Sequence, residues 1–180
     1  MRGARLITAK EFESIARNER CELVDGRVVP MTTVSLAHAA VVGRLNWLLG
    51  QYAYPRKLGI VGPELGVRLT TNPDTVLGPD VVFVRRERFE TADKRHFLDG
   101  APDLVIEVKS PDDSMTELRR KAQKYLSHGT PLVVLVDPIT RTALIHRRDA
   151  VPVTLKNEDD VVDFDSAVPG FHCTLADIFG

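Results

Sequence analysis

Ala101-Pro102-Asp103-Leu104-Val105-Ile106-Glu107-Val108-Lys109-Ser110-Pro111 is the stretch whose reading decides the fold. Leu104, Val105, Ile106 and Val108 are apolar and mostly β-branched, the composition of a strand buried on both faces of a sheet. Glu107 and Lys109 break that pattern at its far end. Side chains two apart on a strand share a face, so this carboxylate and ammonium are expected side by side, roughly 7 Å apart at the backbone. A buried acid beside a buried base is either a structural ion pair or a working site.

On the N-terminal side, Pro79-Asp80-Val81-Val82-Phe83-Val84 repeats the arrangement of Pro102-Asp103 followed by an apolar strand. Geometry separates the two aspartates. Asp103 and Glu107 are four residues apart on one strand, about 13 Å at Cα, whereas carboxylates sharing one Mg²⁺ must each reach it to roughly 2.1 Å. Asp103 is therefore read as structural. Asp80 heads a different strand, and if that strand neighbours the central one its carboxylate sits beside Glu107. The plainer reading, a strand-entry aspartate after proline, stays open. Hard oxygen donors of this kind favour Mg²⁺ or Mn²⁺ over zinc.

On the C-terminal side, Ser114 and Glu117 form a capping box that opens a helix with Leu118, Ala122, Tyr125 and Leu126 on one face, ended by Gly129. Residues 131–136 read as a second buried strand, and Asp137-Pro138 turns the chain into a strand over 143–146. An acidic loop at 157–160, edge strands and a short helix at 175–179 complete this half.

Toward the N-terminus, Thr8 and Glu11 predict another capping box, with Phe12, Ile15 and Ala16 on the apolar side of a short helix. Asp25-Gly26 between residues 21–24 and 27–31 predicts a β-hairpin with Glu22 on its first strand. Ala39, Val42, Leu45, Leu48 and Leu49 recur at helical spacing and predict an amphipathic helix over 35–52. His38 in that helix is read as a packing or capping residue. Strands are expected at 59–62 and 64–70, then a turn-rich stretch over 71–78. Residues 85–100 are charged and read as a mobile or poorly packed excursion; Glu64 is left without a role.

At 180 residues the chain is expected to form one domain, residues 1–180, with a core that needs no staples. A formal net charge of -1 excludes the global basic excess of a non-specific nucleic-acid coat protein but leaves room for a local basic cleft. Arg85, Arg86, Arg88, Arg119, Arg120, Arg147 and Arg148 are candidate phosphate contacts. Cys21 and Cys173 are too few for a disulfide framework or a Cys-rich zinc site. No charged-then-apolar leader opens the sequence and no apolar run approaches about 20 residues, so the expected setting is cytoplasmic, without membrane insertion.

Several stretches, in order, carry a resemblance: Glu22-Leu23-Val24-Asp25-Gly26, His38, Pro79-Asp80-Val81-Val82, residues 102–108, Lys121 with Tyr125, Leu135-Val136-Asp137-Pro138 and Val168-Pro169-Gly170-Phe171. Together they resemble the Uma2 family, also labelled DUF820 and described as restriction endonucleases of the PD-(D/E)XK nuclease superfamily. An acid-x-Lys motif alone is weak; the ordered series, spanning nearly the whole chain, is specific. The resemblance implies an α/β, restriction-endonuclease-like fold: a mixed central β-sheet flanked by α-helices, with an N-terminal helix and hairpin. It implies that Asp80 and Glu107, helped by the Val108 carbonyl, hold Mg²⁺ or Mn²⁺, and that Lys109 orients the attacking water. Many members lack a lysine there and use the helix lysine, here Lys121; this chain carries both. Glu22 matches an acid that the family places near the site, with an exposed strand residue as the plainer reading. The implied activity is Mg²⁺-dependent endonucleolytic hydrolysis of DNA by a metal-activated water, in an enzyme for which a homodimer is reasonable. The alternative is a non-catalytic module that keeps the fold and binds nucleic acid or a protein partner.

Overall fold

A computed structural model describes residues 5–180, so the first four residues of the expected 1–180 domain lie outside the described residues. Helix α1 (Ala9–Ala16) opens as expected. The Thr8 hydroxyl accepts the Glu11 N–H, and the Glu11 carboxylate accepts the Thr8 N–H. Strands β1 (Cys21–Val24) and β2 (Arg27–Pro30) form the hairpin. Its turn residues Asp25 and Gly26 have φ of 50° and 74°, the left-handed pair a two-residue turn requires.

Helix α2 (Leu36–Ala53) follows N-cap Ser35. Then come β3 (Gly59–Gly62), β4 (Val67–Thr70), β5 (Thr75–Leu77), β6 (Val81–Arg85), α3 (Arg86–Thr91), β7 (Leu98–Asp99) and β8 (Leu104–Val108). Helix α4 (Met115–Ser127) carries the expected Ser114–Glu117 capping box and buries Leu118, Ala122, Tyr125 and Leu126. The chain ends with β9 (Leu132–Asp137), β10 (Thr142–Arg147), β11 (Val153–Leu155), β12 (Val161–Asp163), β13 (His172–Thr174) and α5 (Leu175–Phe179).

The central sheet has six strands in the order β11-β10-β9-β8-β6-β3. It is mixed, because β8 and β9 run parallel across the α4 crossover while the other neighbours are antiparallel. A second, five-stranded sheet has the order β2-β1-β5-β4-β7, and β12 with β13 makes a small ribbon. The expected mixed sheet is thus present, with a second sheet beside it.

Strand β8 explains the layering. Leu104, Ile106 and Val108 face one core with Leu45 and Leu49 of α2 and with Phe164 and Phe171. Val105 faces the other core, with Tyr125 of α4 and with Val67 and Leu77 of the second sheet. Both faces are covered, which is why an uninterrupted apolar run is tolerated there. By strand alternation Glu107 lies on the same side as Val105, toward α4 and the second sheet.

Four expectations change. Residues 85–100 are not a loose excursion: they hold α3 and β7, Arg88 Nη1 donates to the Ala101 carbonyl at 2.7 Å, and β7 pairs with β4. The turn-rich stretch 71–78 contains β5, whose three residues take their strand character from pairing with β1 and β4 rather than from local pattern. The strand expected from residue 64 starts at Val67, because Glu64 adopts φ 50° after Pro63. Helix α2 buries Val41 and His38 and leaves Ala39 exposed, a rotation of its first turns relative to the apolar pattern. Beyond the edge strands, Phe164, Val168, Phe171 and Ile178 join the main core. Among the described residues no helix is long and apolar enough to cross a membrane.

Candidate active site

The antiparallel register of β6 with β8 pairs Val81 with Ile106, and one further step sets Asp80 opposite Glu107. Asp80 stands just before β6, where its carboxylate caps the end of the neighbouring strand: Oδ2 accepts the Val108 N–H at 2.7 Å. Adjacent residues of a strand turn their backbone groups to opposite sides. The Lys109 N–H goes to the Val136 carbonyl of β9 at 2.8 Å, so the Val108 N–H and carbonyl face the β6 side, toward Asp80.

Lys121 comes from α4, one turn before Tyr125 on its packed side. Its Nζ lies 2.8 Å from Glu22 Oε1 and 3.0 Å from Glu107 Oε1. Glu22, on β1, also accepts the Gly78 N–H at 2.8 Å. One ammonium therefore ties the second sheet to the end of the central strand. The group lines a cavity of about 540 Å³ beneath the β1–β2 hairpin and the first turn of α2.

Burial dominates the electrostatics. Glu107 is 3% exposed, and loss of solvent pushes its carboxyl from the ordinary 4.5 up to about 8; Lys121 opposes the shift, and the Asp80 and Glu22 charges add to it. Burial also works against the Lys121 charge, but Glu107 and Glu22 outweigh it and hold the ammonium protonated above the usual lysine range. The Tyr125 phenol is raised well above its usual value by burial and then by Glu107 and Glu22, and its hydroxyl finds no well-aligned hydrogen-bond partner.

Glu107 Oε1 is likewise buried without an aligned hydrogen bond despite its closeness to Lys121. An orphaned carboxylate oxygen next to a second carboxylate and a main-chain carbonyl is donor chemistry that fits a hard divalent cation. Among the described residues no three His, Cys, Asp or Glu side chains form a complete ion site by themselves, so the fit rests on Asp80, Glu107 and the Val108 carbonyl.

Of the residues singled out in the sequence, Asp80, Glu107, Val108, Lys121 and Glu22 meet in this cavity. Lys109 does not join them: it is half-buried past the end of β8, and among the described residues it makes no ion pair. The cation beside Glu107 is Lys121, fourteen positions on, rather than the lysine two positions on. His38, read as a packing residue, is in the constellation, with Nε2 3.2 Å from Asp80 Oδ1. Its sequence signals are its place three residues after the Ser35 cap and its place in the ordered series that resembles the Uma2 family. Asp103 is structural as expected, accepting the Arg85 N–H at 2.9 Å and meeting Arg88 Nη1 at 3.3 Å. Glu64 pairs with Arg20. Several suggested phosphate ligands are committed within the protein: Arg85 to Ser166, Arg86 to Glu90, Arg147 to Asp163 and Arg148 to Gly129. Arg120 lines the cavity.

A mixed sheet between helices, with paired acids at adjacent strand ends and a lysine from the crossover helix, defines a restriction-endonuclease-like α/β domain. The Uma2 family model, described as "Putative restriction endonuclease", matches residues 9–176, and the chain belongs to that family. Among solved structures it is similar to one from Anabaena variabilis ATCC 29413, described as "a putative nuclease belonging to DUF820". The TM-score is 0.82 at 23% identity, covering 96% of this chain and 97% of that one. No curated protein matches it.

Proposed function

We propose that the protein is a Mg²⁺- or Mn²⁺-dependent endonuclease that hydrolyses phosphodiester bonds in DNA. The observation that carries this reading is the meeting of Asp80, Glu107 and Lys121 in one cavity. A divalent cation held by Asp80, Glu107 and the Val108 carbonyl would supply Lewis acidity at the phosphate and a more acidic water.

The protein's own groups have definite parts. Lys121 keeps its proton and so cannot act as a base; it serves as a donor to a phosphate oxygen, offsetting charge that builds in the transition state. Glu22, itself fixed by the Gly78 N–H, holds that ammonium at the cavity wall. Burial raises the Glu107 carboxyl, so a proton and a divalent cation would compete for the same oxygens and cation affinity would rise with pH. Lys109 is the second lysine proposed for orienting water; the contacts favour Lys121. Arg120 and Lys124 stand at the cavity for backbone contacts.

A second reading has one observation in its favour. Glu22, Asp25, Asp80, Glu107, Asp112, Asp113 and Glu117 outnumber the basic residues lining the same cavity, a charge balance that suits a non-catalytic module receiving a basic partner. The deciding experiment is Mn²⁺ titration by calorimetry alongside cleavage of DNA oligonucleotides by the wild type and by the Asp80→Ala, Glu107→Ala, Lys121→Ala and Lys109→Ala variants. Cleavage abolished by chelator and reduced 10²-fold or more in the first three variants is expected. Nucleic-acid binding without Mn²⁺ uptake or cleavage sinks the enzyme reading.

A further inference from the structure

We infer that His38 is a positioning residue that holds the Asp80 carboxylate in place, an assignment that rests on the proposed role of Asp80 as a cation ligand. Asp80 precedes the first paired residue of β6, so the strand ladder does not fix its side chain. Two contacts from different elements hold it instead. The Val108 N–H of β8 donates to Oδ2 at 2.7 Å, and the His38 Nε2 of α2 lies 3.2 Å from Oδ1. With Val108 alone, the carboxylate could pivot about that one contact; with both, its plane and both oxygens are set.

The histidine is itself anchored from both ends. Its backbone N–H donates to the Ser35 cap hydroxyl at 3.2 Å, which fixes the first turn of α2, and its side chain is 5% exposed. Simple packing does not account for it. A buried imidazole whose Nδ1 has no partner is a costly way to fill space that a leucine would fill without an orphaned polar atom. The positioning role carries a tautomer with it: an imidazole that donates to Asp80 through Nε2 leaves a bare acceptor lone pair at the unpartnered Nδ1 rather than a buried, unsatisfied N–H. Outer groups that orient ligating carboxylates in this manner typically change metal affinity 10–100-fold when removed.

The test uses the full chain. In ¹⁵N-histidine-labelled, metal-free protein, long-range ¹H–¹⁵N correlations should show His38 as the Nε2–H tautomer, with an exchange-protected ring proton that disappears in Asp80→Ala. A Nδ1–H tautomer or an unprotected, averaging ring overturns the inference. Calorimetry with Mn²⁺ then compares His38→Leu, which keeps bulk without a donor, with His38→Gln, whose amide can reach the same oxygen. The expected result is affinity about 10–100-fold weaker for the Leu variant and largely recovered for the Gln variant, both folded by circular dichroism. Wild-type binding with the Leu variant equally tight overturns the positioning role alone. No Mn²⁺ uptake by the wild type overturns the cation reading of Asp80, and this inference with it.

Discussion

Replacing Glu107 by Gln removes the ionisation of a buried carboxyl while keeping its shape, and its effect on stability has a definite sign. The carboxyl titrates at an ordinary 4.5 in the unfolded chain and is raised to about 8 by burial in the fold. Between those values the folded protein holds a proton that the unfolded chain has released, so the stability contributed by this group falls as pH rises, by up to about 1.4 kcal/mol per pH unit. The contribution is fully present below 4.5 and lost once pH passes about 8. Lys121, held protonated by its two carboxylates, does not titrate in that window. From about pH 5.5 to about pH 7.5 the wild type should therefore lose roughly 2–3 kcal/mol relative to Glu107→Gln. Urea unfolding of both proteins across this range measures the difference, and titrations common to both cancel. Parallel stability curves would refute the reasoning. They would mean that Glu107 is already ionised in the fold across this range, as it would be if Lys121 stabilised its charge.

Lys121→Met leaves the Glu22 charge without its cation and the buried Glu107 carboxyl without its neighbouring donor, and should destabilise the protein at neutral pH by about 2–4 kcal/mol, whereas Lys109→Met should stay within about 0.5 kcal/mol; urea midpoints compare the two. Tyr125→Phe removes a buried hydroxyl that lacks an aligned partner, so thermal unfolding should register a loss under about 1 kcal/mol or a small gain. Ser114→Ala deletes the cap of α4 and should cost about 1 kcal/mol in the same assay, with full recovery in Ser114→Asp.

The features legible in the sequence are those set by near neighbours. Capping boxes operate over three residues, so Thr8 with Glu11 and Ser114 with Glu117 announced their helices without reference to anything distant. Asp25-Gly26 marked its hairpin because few other dipeptides accept two left-handed residues in succession. Strand β8 was legible because burial on both faces demands a continuous apolar run. Short elements escaped for the converse reason. Strand β5 and strand β7 are three and two residues long and exist through their partners, so no local pattern distinguishes them from a turn or a charged loop.

The site divides in the same way. Sequence alone determined that Glu107 is a charge at the end of a buried strand and that Asp80 begins another, and the family pattern added Lys121 and Glu22. Only the tertiary structure decided that β6 lies next to β8 with Asp80 opposite Glu107, that the cation beside Glu107 is Lys121 and not Lys109, and that His38 reaches Asp80. Periodicity tells which side of its own element a residue occupies; what it meets there depends on strand order, register and helix rotation, and these are fixed by packing among segments far apart in the chain.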